Sequence, residues 1–109
     1  MPRLNFKKNI WILTFWVIFS CPSSWAGEFS VQQIFKNIFM VSPNGTDGSN
    51  SVFIITEEGV LVVDSGGNPE EGQQIIKEIR RHTNRPIRFL VNTHYLGAHT
   101  FGNSIFRKE

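Results

Sequence analysis

The chain has 109 residues, enough for one domain and too few for two ordinary ones. Hydrophobic residues make up 40% and charged residues 18%, a composition that excludes a disordered chain. The formal charge of +2 depends on Arg3, Lys7 and Lys8, because the other eight Lys and Arg are balanced by nine Asp and Glu. This near-neutral body excludes a basic face for nucleic acid, and we expect no nucleic-acid partner.

The first 26 residues have the features of an export signal. The positive charges precede an apolar run from Ile10 to Ser20, and Ser24-Trp25-Ala26 places small residues at the −3 and −1 positions of a cleavage site. A helix over the apolar run spans only about 16 Å, whereas a bilayer core is about 30 Å thick. The sequence predicts a signal peptide over residues 1–26, a periplasmic or secreted protein, and a mature domain over residues 27–109. A membrane anchor is the alternative.

Cys21 is the only cysteine, and it bears on processing and on disulfides. It follows Ile18-Phe19-Ser20, which resembles a bacterial lipoprotein processing site except at Phe19. Lipidation at Cys21 therefore stays open as a second alternative. Cleavage after Ala26 would remove the only thiol, so the mature chain could form no disulfide.

The first part of the mature chain is typical of β-hairpins. Residues 29–41 predict two short strands around a turn at Lys36-Asn37, and residues 42–50 form a loop rich in Gly, Asn and Ser. The β-branched and aromatic residues 51–56 and the run VLVVD at 60–64 predict a second hairpin. The uninterrupted apolar run of its second strand indicates burial on both faces.

A helix and a further strand follow the hairpins. Asn68 can cap a helix with Pro69 in its first turn, and three isoleucines recur at helical spacing over residues 75–79. Asn84-Arg85-Pro86 ends that helix, and IRFLVN at 87–92 predicts another strand. His82 lies near the helix C-terminus, where its positive form suits the helix dipole.

A polar loop, Thr93 to Asn103, follows the last predicted strand at its C-terminal end, where layered α/β proteins favour functional sites. It reads THYLGAHTFGN and contains two of the three histidines, His94 and His99. Neutral imidazole is the commonest metal-binding side chain near pH 7, so the loop is a candidate metal site. Spacing alone leaves open that both histidines bond only to backbone or water.

Several segments, in order, resemble the metallo-β-lactamase superfamily. The loop is similar to the family motif Thr-His-x-His-x-Asp-His followed by Gly-Asn, with matches at Thr93, His94, Gly97, His99, Gly102 and Asn103. Upstream, residues 48–55 resemble the start of the family's first long hairpin, and Asp64-Ser65-Gly66 resembles its strand-ending Asp-x-Gly turn. The resemblance implies an α/β fold, the N-terminal half of an αββα sandwich with a mixed sheet and one main helix.

The resemblance also implies a cofactor and a chemistry: zinc, and hydrolysis of an unidentified small-molecule substrate by metal-bound hydroxide. His94 would bind a first metal and His99 a second. Asp64 would either hydrogen-bond to the metal-binding loop without binding metal itself, or simply cap a turn. Leu96 stands where the family has a second histidine, and Ala98 where it has an aspartate. Catalytic zinc normally takes three protein ligands and a water, so we expect no catalytic residue and no stoichiometric zinc.

The family's other metal ligands fall beyond the matched stretch. The resemblance therefore implies a truncated exported hydrolase, inactive as it stands, whether a natural fragment, a frameshift product or a misread sequence. One apolar sheet face would lack its second sheet, and we expect marginal stability, self-association or pairing with a partner chain there. The alternative function is a non-catalytic exported binding module that pairs with another chain.

Overall fold

The computed structural model describes residues 29–44 and 48–109, so the predicted signal peptide, with Cys21 and the cleavage site after Ala26, lies outside these residues. No helix in the described part is long and apolar enough to cross a membrane. The same part contains five strands and three helices: β1 (Phe29–Phe35), β2 (Ile38–Pro43), β3 (Ser51–Ile55), β4 (Val60–Val63), α1 (Pro69–His82), β5 (Ile87–Val91), α2 (Gly97–Thr100) and α3 (Asn103–Phe106).

The strands form one mixed sheet in the order β1-β2-β3-β4-β5. The first three pairings are antiparallel, and β4 pairs with β5 in parallel across the α1 connection. Both predicted hairpins are confirmed, as are the α/β class and the single main helix. The parallel pair places the C-terminal ends of β4 and β5 side by side, and this end of the sheet carries the candidate site.

Helix α1 begins as the sequence predicts. The Asn68 side chain accepts a hydrogen bond from the backbone N–H of Glu71 at 2.8 Å, and the Glu71 carboxylate accepts one from the N–H of Gly67 at 2.7 Å. These reciprocal bonds satisfy N–H groups that have no partner within the helix. The cap thereby fixes the direction in which the chain leaves β4.

The core lies between α1 and one face of the sheet. Its aromatic centre is a stacked pair, Phe39 and Phe53, with ring centroids 4.8 Å apart. His82 covers both rings, with centroids at 4.5 and 5.6 Å, and its Nδ1 lies 2.9 Å from the carbonyl oxygen of Glu78. The third histidine therefore packs on the core at the end of α1 and stays outside the candidate site.

No element within the described residues covers the opposite face of the sheet, which we call the open face. Val60 and Val62 are fully buried under α1, whereas Leu61 and Val63, which alternate with them, are only partly buried. The prediction that this strand is buried on both faces is therefore wrong. An uninterrupted apolar run does not tell whether a second layer is present to cover it.

Thr93 to Asn103 is more regular than the predicted loop, because it contains α2 and the first residue of α3. The N–H of His99 donates to the carbonyl of Leu96, and the N–H of Phe101 donates to that of Gly97. These local bonds close a tight turn that brings His99 back toward the ends of β4 and β5.

Candidate functional site

The candidate site is built at the C-terminal ends of the two parallel strands. Asp64 follows β4, and its N–H donates to the carbonyl of Val91 at the end of β5. This bond brings Asp64 beside the first residues after β5, Asn92 and Thr93. The sheet register therefore sets the position of the Asp64 carboxylate relative to the loop.

Asp64 is a buried hydrogen-bond acceptor at the centre of the site, and only 4% of its surface is exposed. One carboxylate oxygen accepts from the N–H of Thr93, and the other accepts from the Thr93 hydroxyl and from Nδ1 of His99, each at 2.8 Å. Its backbone has a φ of 65°, a left-handed conformation that Asp tolerates better than most residues. The residue is therefore held in an uncommon conformation by three donors.

These contacts also set the charge of Asp64. Burial alone raises the pKa of the carboxyl, but the hydrogen bonds from Thr93 and His99 outweigh burial and hold the pKa below its ordinary value. At neutral pH, Asp64 is a carboxylate and can only accept hydrogen bonds. Because the carboxylate can only accept, Thr93 and His99 must donate their protons to it.

Asp64 fixes the tautomer of both loop histidines. His99 must donate from Nδ1, because its partner is a carboxylate. Thr93 gives its only hydroxyl proton to Asp64, so the oxygen of Thr93 accepts from Nδ1 of His94, at 2.8 Å. Both imidazoles therefore donate from Nδ1, which leaves Nε2 as the nitrogen that can bind a metal in the neutral ring.

The two imidazole rings lie against each other, with centroids 4.1 Å apart and planes tilted by 54°. His94 is exposed and the side chain of His99 is 23% exposed, so solvent reaches both rings. The structure therefore brings together the three site residues proposed from the sequence, Asp64, His94 and His99. The hydrogen bonds at Nδ1 orient both rings.

A second network holds the backbone of His99. Its carbonyl oxygen accepts from the N–H of Ser65 at 2.9 Å and from the side-chain amide of Asn92 at 3.1 Å. Asn103 completes the network: its oxygen accepts from the Ser65 hydroxyl at 2.6 Å, and its amide donates to the oxygen of Asn92 at 2.8 Å. The turn is thus tied to the ends of both parallel strands.

Gly102 allows the turn to approach the end of β4. A Cβ atom at this position would lie 2.0 Å from the carbonyl oxygen of Ser65, far inside any contact distance. The N–H of Gly102 donates to the carbonyl of Gly66 at 3.1 Å. The Gly-Asn pair of the loop therefore has a structural purpose: close approach at Gly102 and cross-linking at Asn103.

The two positions that lack a family ligand lie on the solvent side of the turn. Leu96 is 52% exposed and Ala98 is exposed, while the Ala98 carbonyl accepts a hydrogen bond from the Ser49 hydroxyl. Neither side chain has an atom that binds metal. Within residues 29–44 and 48–109, no three His, Cys, Asp or Glu side chains form a group that could hold a metal ion. The residues present do not fit a catalytic zinc.

The sequence motifs alone do not predict how the site is supported. In the sequence, Thr93, Ser65 and Asn92 stand only in motifs or at strand ends, yet in the structure they link Asp64, His94 and His99 into one network. Their placement directly after two adjacent strands was the available signal. Which of them would meet depended on the parallel register of β4 and β5.

Comparisons with known proteins agree with this geometry. The family model of the metallo-beta-lactamase superfamily matches residues 44–109. No curated protein sequence matches the chain significantly. Among solved structures, the chain is similar to a metallo-beta-lactamase from Pontibacter korlensis, with a TM-score of 0.65 and 19% identity. That similarity covers 74% of this chain and 40% of the other, so the chain spans less than half the length of that protein. The chain belongs to the metallo-β-lactamase superfamily.

Proposed function

We propose that this chain is the N-terminal part of an exported metallo-β-lactamase-like hydrolase and that, as it stands, it does not catalyse metal-dependent hydrolysis. The observation that carries this proposal is the composition of the loop. It retains two oriented imidazoles, His94 and His99, and has hydrocarbon side chains at Leu96 and Ala98. Metal-hydroxide hydrolysis of small molecules is the chemistry of the family.

Membership of the family favours zinc as the cofactor in general, but this chain supplies too few ligands to fix its geometry. A catalytic zinc site normally has three protein ligands and one open position for water. The carboxylate of Asp64 does not make up the deficit, because both of its oxygens already accept hydrogen bonds. We therefore assign no hydrolytic step to these residues; their role is to hold and orient two imidazoles.

Metal content and turnover, measured together, test this proposal. We expect less than one zinc per chain by elemental analysis and no hydrolysis of ester, thioester, amide or phosphodiester substrates. His94→Ala is the matched control, because it removes one of the two remaining nitrogens. The proposal would be refuted if each chain bound one or two zinc ions and catalysed hydrolysis that His94→Ala abolished.

Export is a separate part of the proposal and has its own test. It is supported by the basic, apolar and small-residue pattern of residues 1–26. We expect to find the protein in the periplasm or the medium, with the mass of a chain that begins at Gly27. An uncleaved chain in the membrane fraction would instead indicate an anchor, and a lipid-modified Cys21 would indicate a lipoprotein.

A second candidate function is that of a non-catalytic exported module that binds another protein chain. The exposed apolar side chains on the open face favour it, notably Phe89 at 61% and Val91 at 47% exposure. Exposed apolar patches of this kind often mark surfaces that contact another protein. A stoichiometric partner that stays with the protein through purification would support this function over the first.

A further inference from the structure

We propose that the outer edge of β1, the side away from β2, pairs with the same edge of a second copy as two antiparallel strands related by a two-fold axis at Val31. This inference goes beyond the proposed function and does not depend on it, because β1 lies at the opposite edge of the sheet from β5, which leads into the histidine loop. The contact uses the edge of the sheet and neither of its faces, so it is compatible with another layer over the open face.

The contacts of β2 show which way the backbone of β1 points. The N–H of Ile55 donates to the carbonyl of Asn37, so Asn37 directs its backbone groups toward β3. Backbone direction alternates along a strand in an antiparallel ladder. Phe39 and Val41, two and four residues further on, therefore also point toward β3 and make no backbone bond to β1.

The β1 residues opposite these positions direct their own backbone groups to the outer edge. Gln33 lies opposite Phe39, and Val31 lies opposite Val41. Phe29 continues the alternation, and it lies opposite Pro43, which has no N–H to offer. Every second residue of β1 from 29 to 33 thus presents an N–H and a C=O that no strand within the described residues bonds.

These groups are self-complementary about Val31. A two-fold axis perpendicular to the sheet at this residue places Val31 opposite Val31 of the second copy, and Phe29 opposite Gln33 of the second copy. Each pair can exchange two backbone hydrogen bonds, so the three pairs give about six. The axis uses the same edge of both copies, and association by this contact therefore stops at two chains.

The side chains are compatible with this register on both sides of the strand. On one side, two valines meet at the axis, a β-branched pair of the kind that stabilises neighbouring strands. On the other side, Ser30 lies opposite Gln32 of the second copy, which places a hydroxyl beside an amide, and both residues are exposed in the single chain. No like charges oppose each other, because β1 carries no charged residue.

The outer edge of β1 lacks the features that usually keep edge strands apart. Natural sheets protect their edges with charged residues, proline, very short strands or bulges. β1 is seven residues long and contains neither a charged residue nor proline. Its one register shift lies between Gln33 and Phe35, after the segment that would pair. The other edge strand, β5, has five residues and carries Arg88, so β1 is the edge better suited to pairing.

Amide hydrogen exchange tests the proposal on the chain expressed from its complete sequence and purified in the form the cell leaves. We expect sedimentation to show a weak, reversible dimer, since the contact is small. Where about nine-tenths of the chains are dimeric, exchange at Val31 and Gln33 should be about tenfold slower than in the monomer. Exchange at Ser30 and Gln32, whose N–H groups point toward β2, should not depend on concentration. Equal slowing at all four positions, or at none, would contradict the proposal.

Proline at the axis tests the backbone contact by substitution. Val31→Pro removes an N–H that faces the outer edge, so the ladder with β2 stays intact. It should weaken dimerisation by about tenfold or more, because it removes two of the about six bonds between the copies. Val31→Thr is the matched control: it keeps the N–H and the branched side chain and should change the affinity by about twofold or less. Equal weakening by both variants, with circular dichroism showing both folded, would mean that backbone pairing does not hold the copies together.

Cysteine cross-linking checks the register without altering the backbone, in a Cys21→Ser background that leaves the introduced thiol as the only one. Val31→Cys places two Cα atoms about 5.5 Å apart across the axis, within the range that a disulfide spans, and should give covalent dimers on oxidation. Ser30→Cys is the control, because residue 30 meets its own copy only diagonally, at about 7–8 Å, and should not cross-link. A stable monomer, growth beyond two chains, a different protein bound at this edge, or a folded Val31→Cys chain that does not cross-link would overturn the proposal.

Discussion

The Thr93–Asn103 turn has two sides, and they differ sharply. The inner side, which faces the strand ends, comprises Thr93, the carbonyl of His99, Gly102 and Asn103, and its polar groups are joined to Asp64, Ser65 or Asn92. The outer side carries Tyr95, Leu96 and Phe101, which are 88%, 52% and 67% exposed.

This difference indicates that the shape of the turn does not depend on the side chains at its metal-ligand positions. Folding depends on the inner side, because its polar groups pair with Asp64 and Ser65, which are buried. The outer side contributes little to folding, so ligand positions such as Leu96 and Ala98 can change without loss of the fold. A supporting framework can thus persist around an incomplete metal site.

The largest effect on the inner side is expected from Gly102→Ala. The new Cβ would meet a backbone oxygen at 2.0 Å, and backbone cannot rotate away as a side chain can. We expect a loss of about 3 kcal/mol or more in the free energy of unfolding. Urea denaturation of both chains at the same protein concentration measures this.

Gly97→Ala is the matched control for that experiment. Its Cβ would also be crowded, at 2.4 Å, but by the ring of Phe101, which is exposed and free to turn. We expect a loss well below that of Gly102→Ala. Equal losses at the two glycines would contradict the distinction between the inner and outer sides.

Asp64→Asn should have the next largest effect. Asn tolerates the left-handed backbone at this position, so the substitution tests hydrogen bonding rather than strain. One carboxylate oxygen becomes an amide that faces the Thr93 hydroxyl and His99 Nδ1, two donors. We expect a loss of about 2 kcal/mol, the usual scale for hydrogen bonds to a charged group. A change below about 0.5 kcal/mol would mean that the network does not stabilise the turn.

Lowering the pH should reproduce part of the stability loss expected for Asp64→Asn. The pKa of Asp64 is lowered in the folded chain, so the unfolded chain binds the proton more tightly and low pH favours unfolding. The contribution of Asp64 is present above the ordinary carboxyl pKa of about 3.9 and is lost as pH falls below it. The difference in denaturation midpoint between the native chain and Asp64→Asn should therefore shrink from pH 6 to pH 3. A constant difference would contradict this pH dependence.

Much of this fold could be predicted from the sequence, because its signals are local. The Asn68 cap, the turn at Lys36-Asn37 and the β-branched runs each act within a few residues. The pairing of Thr93 with Asp64 could not be read in this way, since it joins positions 29 residues apart and depends on a parallel strand register. The same limit explains the wrong prediction for β4, whose covering layer is not encoded in its own apolar run.

Thr93→Val should have a smaller and more selective effect. Valine keeps the branched shape but removes the hydroxyl that links Asp64 to His94. We expect a loss of about 1 kcal/mol and, in nitrogen-15 spectra of the imidazoles, release of His94 from the Nδ1–H tautomer. His99 should keep its tautomer, because it contacts Asp64 directly. A simultaneous change in both histidines would show that the turn itself had moved.

The smallest effect on stability is expected from changing the outer side, with Leu96→His combined with Ala98→Asp. Both positions are exposed, so unfolding free energy should change by about 0.5 kcal/mol or less. Zinc affinity should nevertheless rise, because the turn would then present three imidazoles and a carboxylate on a framework that already orients two of the rings. We expect tighter zinc in competition titrations but no measurable hydrolysis by this chain, since the ligands added at one turn do not enclose the metal. Turnover by the double variant would show that the turn alone suffices, and a large loss of stability would show that the outer side also supports the fold.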